Sequence, residues 1–111
     1  MKRDWDVVRQ VLSEVEAGDR HKYSDSVDPV ATGHAFLLLD AGYITAIDAT
    51  TLDGRGLLNP ELTWEGHDLL DTIRSKSVWE RIKQLAKDKG IELTFDAVKV
   101  LAAKALEMAA S

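Results

Sequence analysis

The sequence contains no cysteine, only two prolines, and no apolar run long enough to cross a lipid bilayer. Without cysteine, a disulfide framework, a thiolate metal ligand and a thiol nucleophile are all excluded. The opening segment Met1–Asp6 leads into an amphipathic pattern and lacks the continuous apolar core of a secretory signal peptide. We therefore expect a cytoplasmic protein that contacts no membrane.

Basic residues are missing from the middle of the chain. The segment Tyr23–Gly54 contains five acidic residues and no Lys or Arg, so its net charge of −5 equals that of the whole chain. Phosphate contacts supply much of the affinity of DNA-binding proteins, and Arg or Lys makes the commonest specific contact with a base. This segment is therefore a poor candidate for contact with DNA, and its acidity favours a protein partner.

Length and composition predict a single compact domain. The chain has 111 residues, of which 45% are hydrophobic and 30% are charged, values that suit one folded unit. We predict a single winged-helix-like domain over residues 1–111, with its core at about residues 3–74. Additional C-terminal helices are expected at about residues 78–89 and 95–110.

Apolar spacing and capping residues predict an α+β fold that is mostly helical. Asp28 and Pro29 favour a helix start, and Tyr43–Ile47 has the β-branched and aromatic residues of a strand. A helix that leads directly into a small β-hairpin wing is typical of a winged helix. The predicted elements are a helix over 3–17, a short edge strand around 22–23, a helix over 29–41, a strand over 43–47, a hairpin loop over 50–60, a strand over 61–63 and a helix to 74.

Further predictions concern the next helix start and the tryptophans. Ser77 and Glu80 have the spacing of a capping box, so we place the start of the following helix at Ser77. Each tryptophan stands in or beside an apolar helical stripe, which predicts a place in the core. The three tryptophans are Trp5, Trp64 and Trp79.

Two strings, Leu39–Ile44 and Leu62–Leu70, resemble a family of small bacterial and phage proteins catalogued as domain of unknown function 2513. The string Leu-Thr-Trp-Glu-Gly-His at residues 62–67 is the most specific part, and the start of the chain and residues 73–83 resemble the same family. The resemblance implies a phage or prophage setting, the cytoplasm of a bacterial host and a winged-helix fold. It implies no catalytic residue and no cofactor.

The hairpin and the helix before it supply the candidate partner surface. That helix offers only Thr32 and His34 to a DNA groove, and Arg55 is the single cation of the predicted hairpin tip. Leu57 and Leu58 are adjacent on a glycine-flanked loop, so one of them is expected to be an exposed anchor; the alternative is a folded-back loop that buries both. The candidate partner surface comprises Asp40, Asp48, Asp53, Arg55, Leu57 and Leu58.

A basic region follows the hairpin. Residues 74–89 contain six Lys or Arg and two Asp or Glu, which leaves a surplus of +4. Lys76, Lys83 and Lys87 have spacings that place them on one side of a helix, and they form the candidate basic surface. The alternative is the ordinary solvated face of an amphipathic helix.

The sequence predicts neither a metal site nor a catalytic site. His21, His34 and His67 are scattered and lack the paired spacing of zinc ligands. Glu65, Asp68 and Asp71 recur at every third residue, but a surface stripe lacks the contrasting environments that acid–base catalysis needs. We therefore expect a protein that is not an enzyme and binds no cofactor.

The leading functional hypothesis is a protein-interaction module that modulates or inhibits a bacterial host complex, including an anti-defence role. Its partner would be a bacterial host protein or a phage protein. A DNA-binding regulator is the alternative, although the local charge disfavours DNA. A phage assembly component is a third hypothesis, and a homodimer is compatible with all three.

Overall fold

The computed structural model describes residues 2–110, apart from the side chains of residues 106 and 108–110. It shows a mixed α+β fold with five helices and three strands among these residues. Contacts between residues divide the chain into two compact units, Met1–Leu70 and Asp71–Ser111. The elements in order are α1 (Trp5–Ala17), β1 (Lys22–Ser24), α2 (Pro29–Asp40), β2 (Ile44–Asp48), β3 (Gly56–Leu62), α3 (Trp64–Arg74), α4 (Lys76–Lys89) and α5 (Phe95–Ala110).

The first helix has the ends that the sequence predicts. The Asp4 carboxylate accepts hydrogen bonds from the backbone N–H groups of Asp6 and Val7, and Gly18 closes the helix in the left-handed conformation. The apolar stripe of α1 is buried, which confirms the predicted helical spacing. The buried residues of the stripe are Val8, Val11, Leu12 and Val15.

The second helix lies inside the N-terminal unit and packs against α1 and all three strands. Asp28 caps its first turn and Pro29 occupies its first position, as predicted. Thr32 and His34 are almost completely buried, with exposures of 0% and 1%. These two side chains, the only ones that the helix offers to a DNA groove, therefore lie in the core.

The three strands form an antiparallel sheet in which β3 lies between β1 and β2. The predicted edge strand near Tyr23 is confirmed, and Tyr23 pairs with Leu57 of β3. The predicted hairpin loop over residues 50–60 is too long, because β3 already begins at Gly56. The connection between β2 and β3 therefore comprises residues 49–55.

A β-bulge explains why β3 was predicted to start late. Asn59 has a positive φ of 51°, and Pro60 has no N–H group to donate to a neighbouring strand. The register between β2 and β3 shifts between Thr45 and Ile47, so that two residues of β3 stand opposite Ala46 alone. A bulge of this kind accommodates proline within a strand.

The C-terminal unit contains α4 and α5, which pack against each other. The side chain of Ser75 accepts a hydrogen bond from the Val78 N–H group, and α4 begins at Lys76. The predicted capping box at Ser77 is therefore wrong: Ser75 is the cap, and Ser77 lies in the first turn. Gly90 ends α4 and Thr94 caps α5 as predicted, and no helix within residues 2–110 combines the length and apolar character needed to span a bilayer.

Candidate functional site

The predicted partner surface is only partly a surface. Leu57 is completely buried and Leu58 is half-buried, because both lie in the central strand β3 and not at the tip of a wing. The predicted leucine anchor is therefore wrong for Leu57, and the apolar residue at the hairpin tip is the fully exposed Leu52. The four other predicted residues have exposed side chains: Asp40, Asp48, Asp53 and Arg55.

Arg55 is engaged within the protein. Its Nε and backbone N–H groups both donate hydrogen bonds to Oδ2 of Asp25, each at 3.1 Å. Its guanidinium lies 5.1 Å from the centre of the Phe36 ring. The Arg55 side chain, and then its backbone N–H group, hold the pKa of Asp25 below its usual value. Arg55 thus holds the hairpin against the segment after β1. Because its guanidinium group is engaged with Asp25, Arg55 has less capacity to bind phosphate.

The predicted basic surface is exposed. Lys76, Lys83 and Lys87 lie on α4 within an arc of about 40° of the helix circumference. Glu80 shares this side, and its carboxylate is 3.0 Å from the Lys83 ammonium group. The surface therefore carries a net charge of about +2 when Glu80 is included.

The histidines occupy three different environments. His21 is exposed before β1, and His67 is half-buried on α3. The buried His34 accepts a hydrogen bond at Nε2 from the Asp4 N–H group, and its Nδ1 lies 2.8 Å from the Val30 carbonyl oxygen. These contacts require a neutral ring with its proton on Nδ1. Among the described residues, no group of three or more His, Asp or Glu is arranged to hold a metal ion.

An open cleft of about 210 Å³ lies beside the connection between β2 and β3. Lys22 and Arg55 line it together with Asp53 and several hydroxyl groups. The residues that line the cleft carry charges of both signs, and Arg55 is paired with Asp25. The cleft therefore shows no preference for one class of ligand.

Trp64 is the feature that distinguishes the surface of the N-terminal unit. Its side chain is 83% exposed, so the prediction that it belongs to the core is wrong. It occupies the first position of α3, immediately after the capping residue Thr63. Most exposed apolar residues are smaller, and tryptophan gains more than any of them from burial against a partner.

The neighbours of Trp64 fix the backbone from which its side chain projects. Thr63 Oγ1 donates a hydrogen bond to the Gly42 carbonyl at 2.7 Å and accepts one from the Gly66 N–H group at 3.1 Å. Gly66 packs so closely against the Tyr43 carbonyl oxygen that a Cβ at this position would overlap it. Thr63 and Gly66 therefore have structural roles in the Leu-Thr-Trp-Glu-Gly-His string, whereas the indole of Trp64 contributes little to the core.

The surroundings of Trp64 are acidic. The rings of Trp64 and His67 are 6.1 Å apart between centres, and His67 Nδ1 lies 4.0 Å from a carboxylate oxygen of Glu16. Glu65 follows Trp64 directly, and Asp68 lies one helical turn further along on the same side of α3. We call these five residues the Trp64 surface: Glu16, Trp64, Glu65, His67 and Asp68.

Helical geometry could have revealed the exposure of Trp64. The predicted apolar stripe of α3 is confirmed, since Leu69, Leu70 and Ile73 are buried. Trp64 precedes Ile73 by nine positions, which places the two on opposite sides of the helix at about 180°. The apolar character of tryptophan predicts burial, whereas its angle on the helix predicts exposure, and the structure follows the angle.

Comparison with known proteins confirms the family resemblance. The family described as "Hypothetical protein (DUF2513)" matches residues 2–92. An uncharacterized protein from Haemophilus influenzae is 38% identical over 109 residues, which cover 92% of each chain. No solved structure matches the chain.

Proposed function

The chain belongs to the DUF2513 family, and we propose that it is a non-enzymatic protein-interaction module that uses Trp64 as its anchor. The observation that carries this proposal is the 83% exposure of Trp64 on a helix start that Thr63 and Gly66 fix in place. Tryptophan is among the residues most enriched at energetic hot spots of protein interfaces. Burial of its side chain would contribute about 4 kcal/mol before the costs of association.

The proposal includes a winged-helix arrangement for the N-terminal unit. The order α1, β1, α2, β2, β3 and the central position of β3 support it, with the connection over residues 49–55 as the wing. One helix, α2, stands between β1 and β2, where a helix-turn-helix would have two. This difference and the burial of α2 favour a winged helix adapted to bind protein.

The proposed setting is the cytoplasm of a bacterium that carries the chain on a phage or prophage. The partner would be a bacterial host protein or a phage protein, and the chain would modulate or inhibit a host complex. A gene beside phage functions would support this setting. A gene consistently located among unrelated housekeeping functions would contradict it.

A photocrosslinking experiment tests the anchor. A photoreactive phenylalanine analogue replaces Trp64 in the full chain, which is made in its natural cells, and a matched variant carries it at the equally accessible Leu52. We expect a discrete covalent adduct with one protein from position 64 and none from position 52. Absence of an adduct at 64, or the same adducts from both positions, would contradict the proposal.

The alanine variant provides the complementary measurement. Trp64→Ala is expected to abolish co-purification of the crosslinked protein while changing the free energy of unfolding by less than about 0.5 kcal/mol, because the side chain is exposed. Trp79→Ala is the control for a buried tryptophan, with an expected loss of about 3–5 kcal/mol.

DNA binding through α4 is the second candidate function. It is favoured by the exposure of Lys76, Lys83 and Lys87 on one side of that helix. The third hypothesis, a phage assembly component, stays a proposal, and the burial of Leu57 removes that side chain as a point of contact for it.

A further inference from the structure

We infer that the Trp64 surface receives an arginine or lysine side chain of the protein partner, held over the indole of Trp64. This inference rests on the proposed function and adds the chemistry of the partner. A cation over the face of a tryptophan is attracted by the π-electrons of the ring, and tryptophan is the best of the aromatic residues for this contact.

The aromatic rings of the protein show the same preference internally. Arginine guanidinium groups lie over Trp5, Tyr23 and Phe36, at 5.9, 4.4 and 5.1 Å from the ring centres. The Lys83 ammonium group lies 5.9 Å from the ring centre of Trp79. Within residues 2–110, no Arg or Lys occupies the face of Trp64, although this tryptophan is the most exposed of the three.

The charges around Trp64 favour a cation and oppose an anion. Between Gly56 and Leu70 the chain has three acidic residues and no Lys or Arg. Glu65 and Asp68 lie on α3 within four positions of Trp64, and Glu16 contacts His67, whose ring neighbours the indole. The positive end of the α3 dipole, equivalent to about half a charge, opposes a cation there, but these carboxylates outweigh it.

The four arginines of the same unit are engaged elsewhere, Arg3 over the ring of Trp5. Arg9 pairs with Asp6, Arg20 with Glu14 and Asp28, and Arg55 with Asp25. Across Met1–Leu70 there are six Lys or Arg against thirteen Asp or Glu, a net charge of −7. The N-terminal unit as a whole therefore attracts a basic partner, and Trp64 gives that attraction a specific point of contact.

An NMR titration tests this inference with a defined probe. The probe is the peptide acetyl-Gly-Arg-Gly-Arg-Gly-amide, and the matched control peptide carries uncharged citrulline in place of each arginine. The readout is the Nε1–H signal of Trp64 in the full ¹⁵N-labelled chain, assigned with the Trp64→Leu variant. We expect a saturable shift of this signal with the arginine peptide, weakened by salt, and no shift with the citrulline peptide.

Three variants test which side chains contribute to the affinity for the arginine peptide. Trp64→Leu should lower the affinity for the arginine peptide about tenfold, and Glu65→Gln about threefold. Asp88→Asn removes the same charge from α4, outside the Trp64 surface, and it should leave the affinity unchanged. Equal shifts with both peptides, or an affinity insensitive to Trp64→Leu, would overturn the inference. A crosslink at position 64 together with no shift from the arginine peptide would support the proposed interaction module. The same pair of results would contradict the inference that its partner supplies a cation.

Discussion

Gly66 illustrates how one residue can fix the position of an element. It lies in the first turn of α3, directly against the Tyr43 carbonyl oxygen at the start of β2. Only the absence of a side chain permits this approach. Together with the hydrogen bonds of Thr63, the contact determines where α3 begins and hence where Trp64 projects.

The variant Gly66→Ala is predicted to be destabilising. At an unhindered helical position the same change stabilises by about 1 kcal/mol, whereas here the added methyl group must displace the backbone at Tyr43. We expect a loss of about 2–3 kcal/mol in the free energy of unfolding, measured with urea. Gly18→Ala is the control, because it meets only open space and loses about 1 kcal/mol through its positive φ. A stabilised Gly66→Ala protein would contradict the close contact.

Asp25 gives a prediction about acid stability. Its hydrogen bonds with Arg55 lower its folded-state pKa, so its stabilising effect is complete above the unfolded pKa of about 3.9 and is lost as the pH falls through the folded value. We expect Asp25→Asn to lower the urea midpoint at neutral pH, and we expect the difference from the original chain to shrink below about pH 4. Asp53→Asn, on the connection that carries Arg55, should leave the midpoint unchanged. A difference that is constant with pH would exclude the ion pair as its cause.

At the scale of the element, α2 contains two buried polar residues with opposite roles. His34 joins α2 to the N-terminus of α1 through the Asp4 N–H group. Thr32 Oγ1 is buried without a hydrogen-bond partner among the described residues. A buried polar group contributes to stability when it is bonded and costs free energy when it is not.

Two substitutions in α2 should therefore change stability in opposite directions. His34→Phe removes the acceptor of the Asp4 N–H group, with an expected loss of about 1–3 kcal/mol and faster amide exchange at Asp4. Thr32→Val keeps the shape of the side chain and removes the unpaired hydroxyl, so we expect equal or greater stability, by up to about 1 kcal/mol. Urea denaturation measures both, and a fully stable His34→Phe protein would show that its hydrogen bonds contribute nothing.

The strands show what local sequence signals can and cannot predict. Tyr43–Ile47 was recognised because its residue types favour a strand, and β2 was found at Ile44–Asp48. Pro60 lies within the predicted loop over residues 50–60, yet it belongs to β3, where the bulge relieves the need for its missing N–H group. Residues 56–60 form a strand because Leu57 has a partner strand on each side. This pairing joins distant segments, so local sequence does not predict it.

At the scale of the whole molecule, charge is distributed unevenly between the two units. The N-terminal unit has a net charge of −7, whereas Asp71–Ser111 has eight Lys or Arg and six Asp or Glu, a net charge of +2. Any affinity for a polyanion should therefore reside in the C-terminal unit. The acidic unit should attract basic partners.

Charge reversal tests this division. We expect only weak binding of a duplex DNA, and we expect the triple change Lys76→Glu, Lys83→Glu and Lys87→Glu to weaken it further. The slope of log affinity against log salt should fall by up to about three in magnitude, measured by fluorescence anisotropy at several salt concentrations. Arg55→Glu should have little effect on DNA affinity, because Arg55 is bonded to Asp25. Loss of DNA binding with Arg55→Glu would instead support a wing that contacts phosphate.

The sequence by itself determined the features that depend on neighbours along the chain. Asp4, Asp28 and Thr94 cap helices, Gly18 and Gly90 end them, and the apolar stripes of the helices are buried, because these features follow from helix geometry and short-range hydrogen bonds. The family membership was also readable from the sequence, through the string at residues 62–67.

The tertiary structure alone decided the burial of Leu57 and His34 and the pairing of Arg55, and it fixed where Trp64 projects. Leu57 is buried because α1 and α2 pack against β3, and His34 is buried because α1 and the strands enclose α2. Arg55 is bonded because the fold brings Asp25 to it. Trp64 is exposed because Gly66 and Thr63 fix the start of α3 against residues more than 20 positions earlier in the chain. Burial depends on contacts between distant segments, and such contacts leave little trace in local composition.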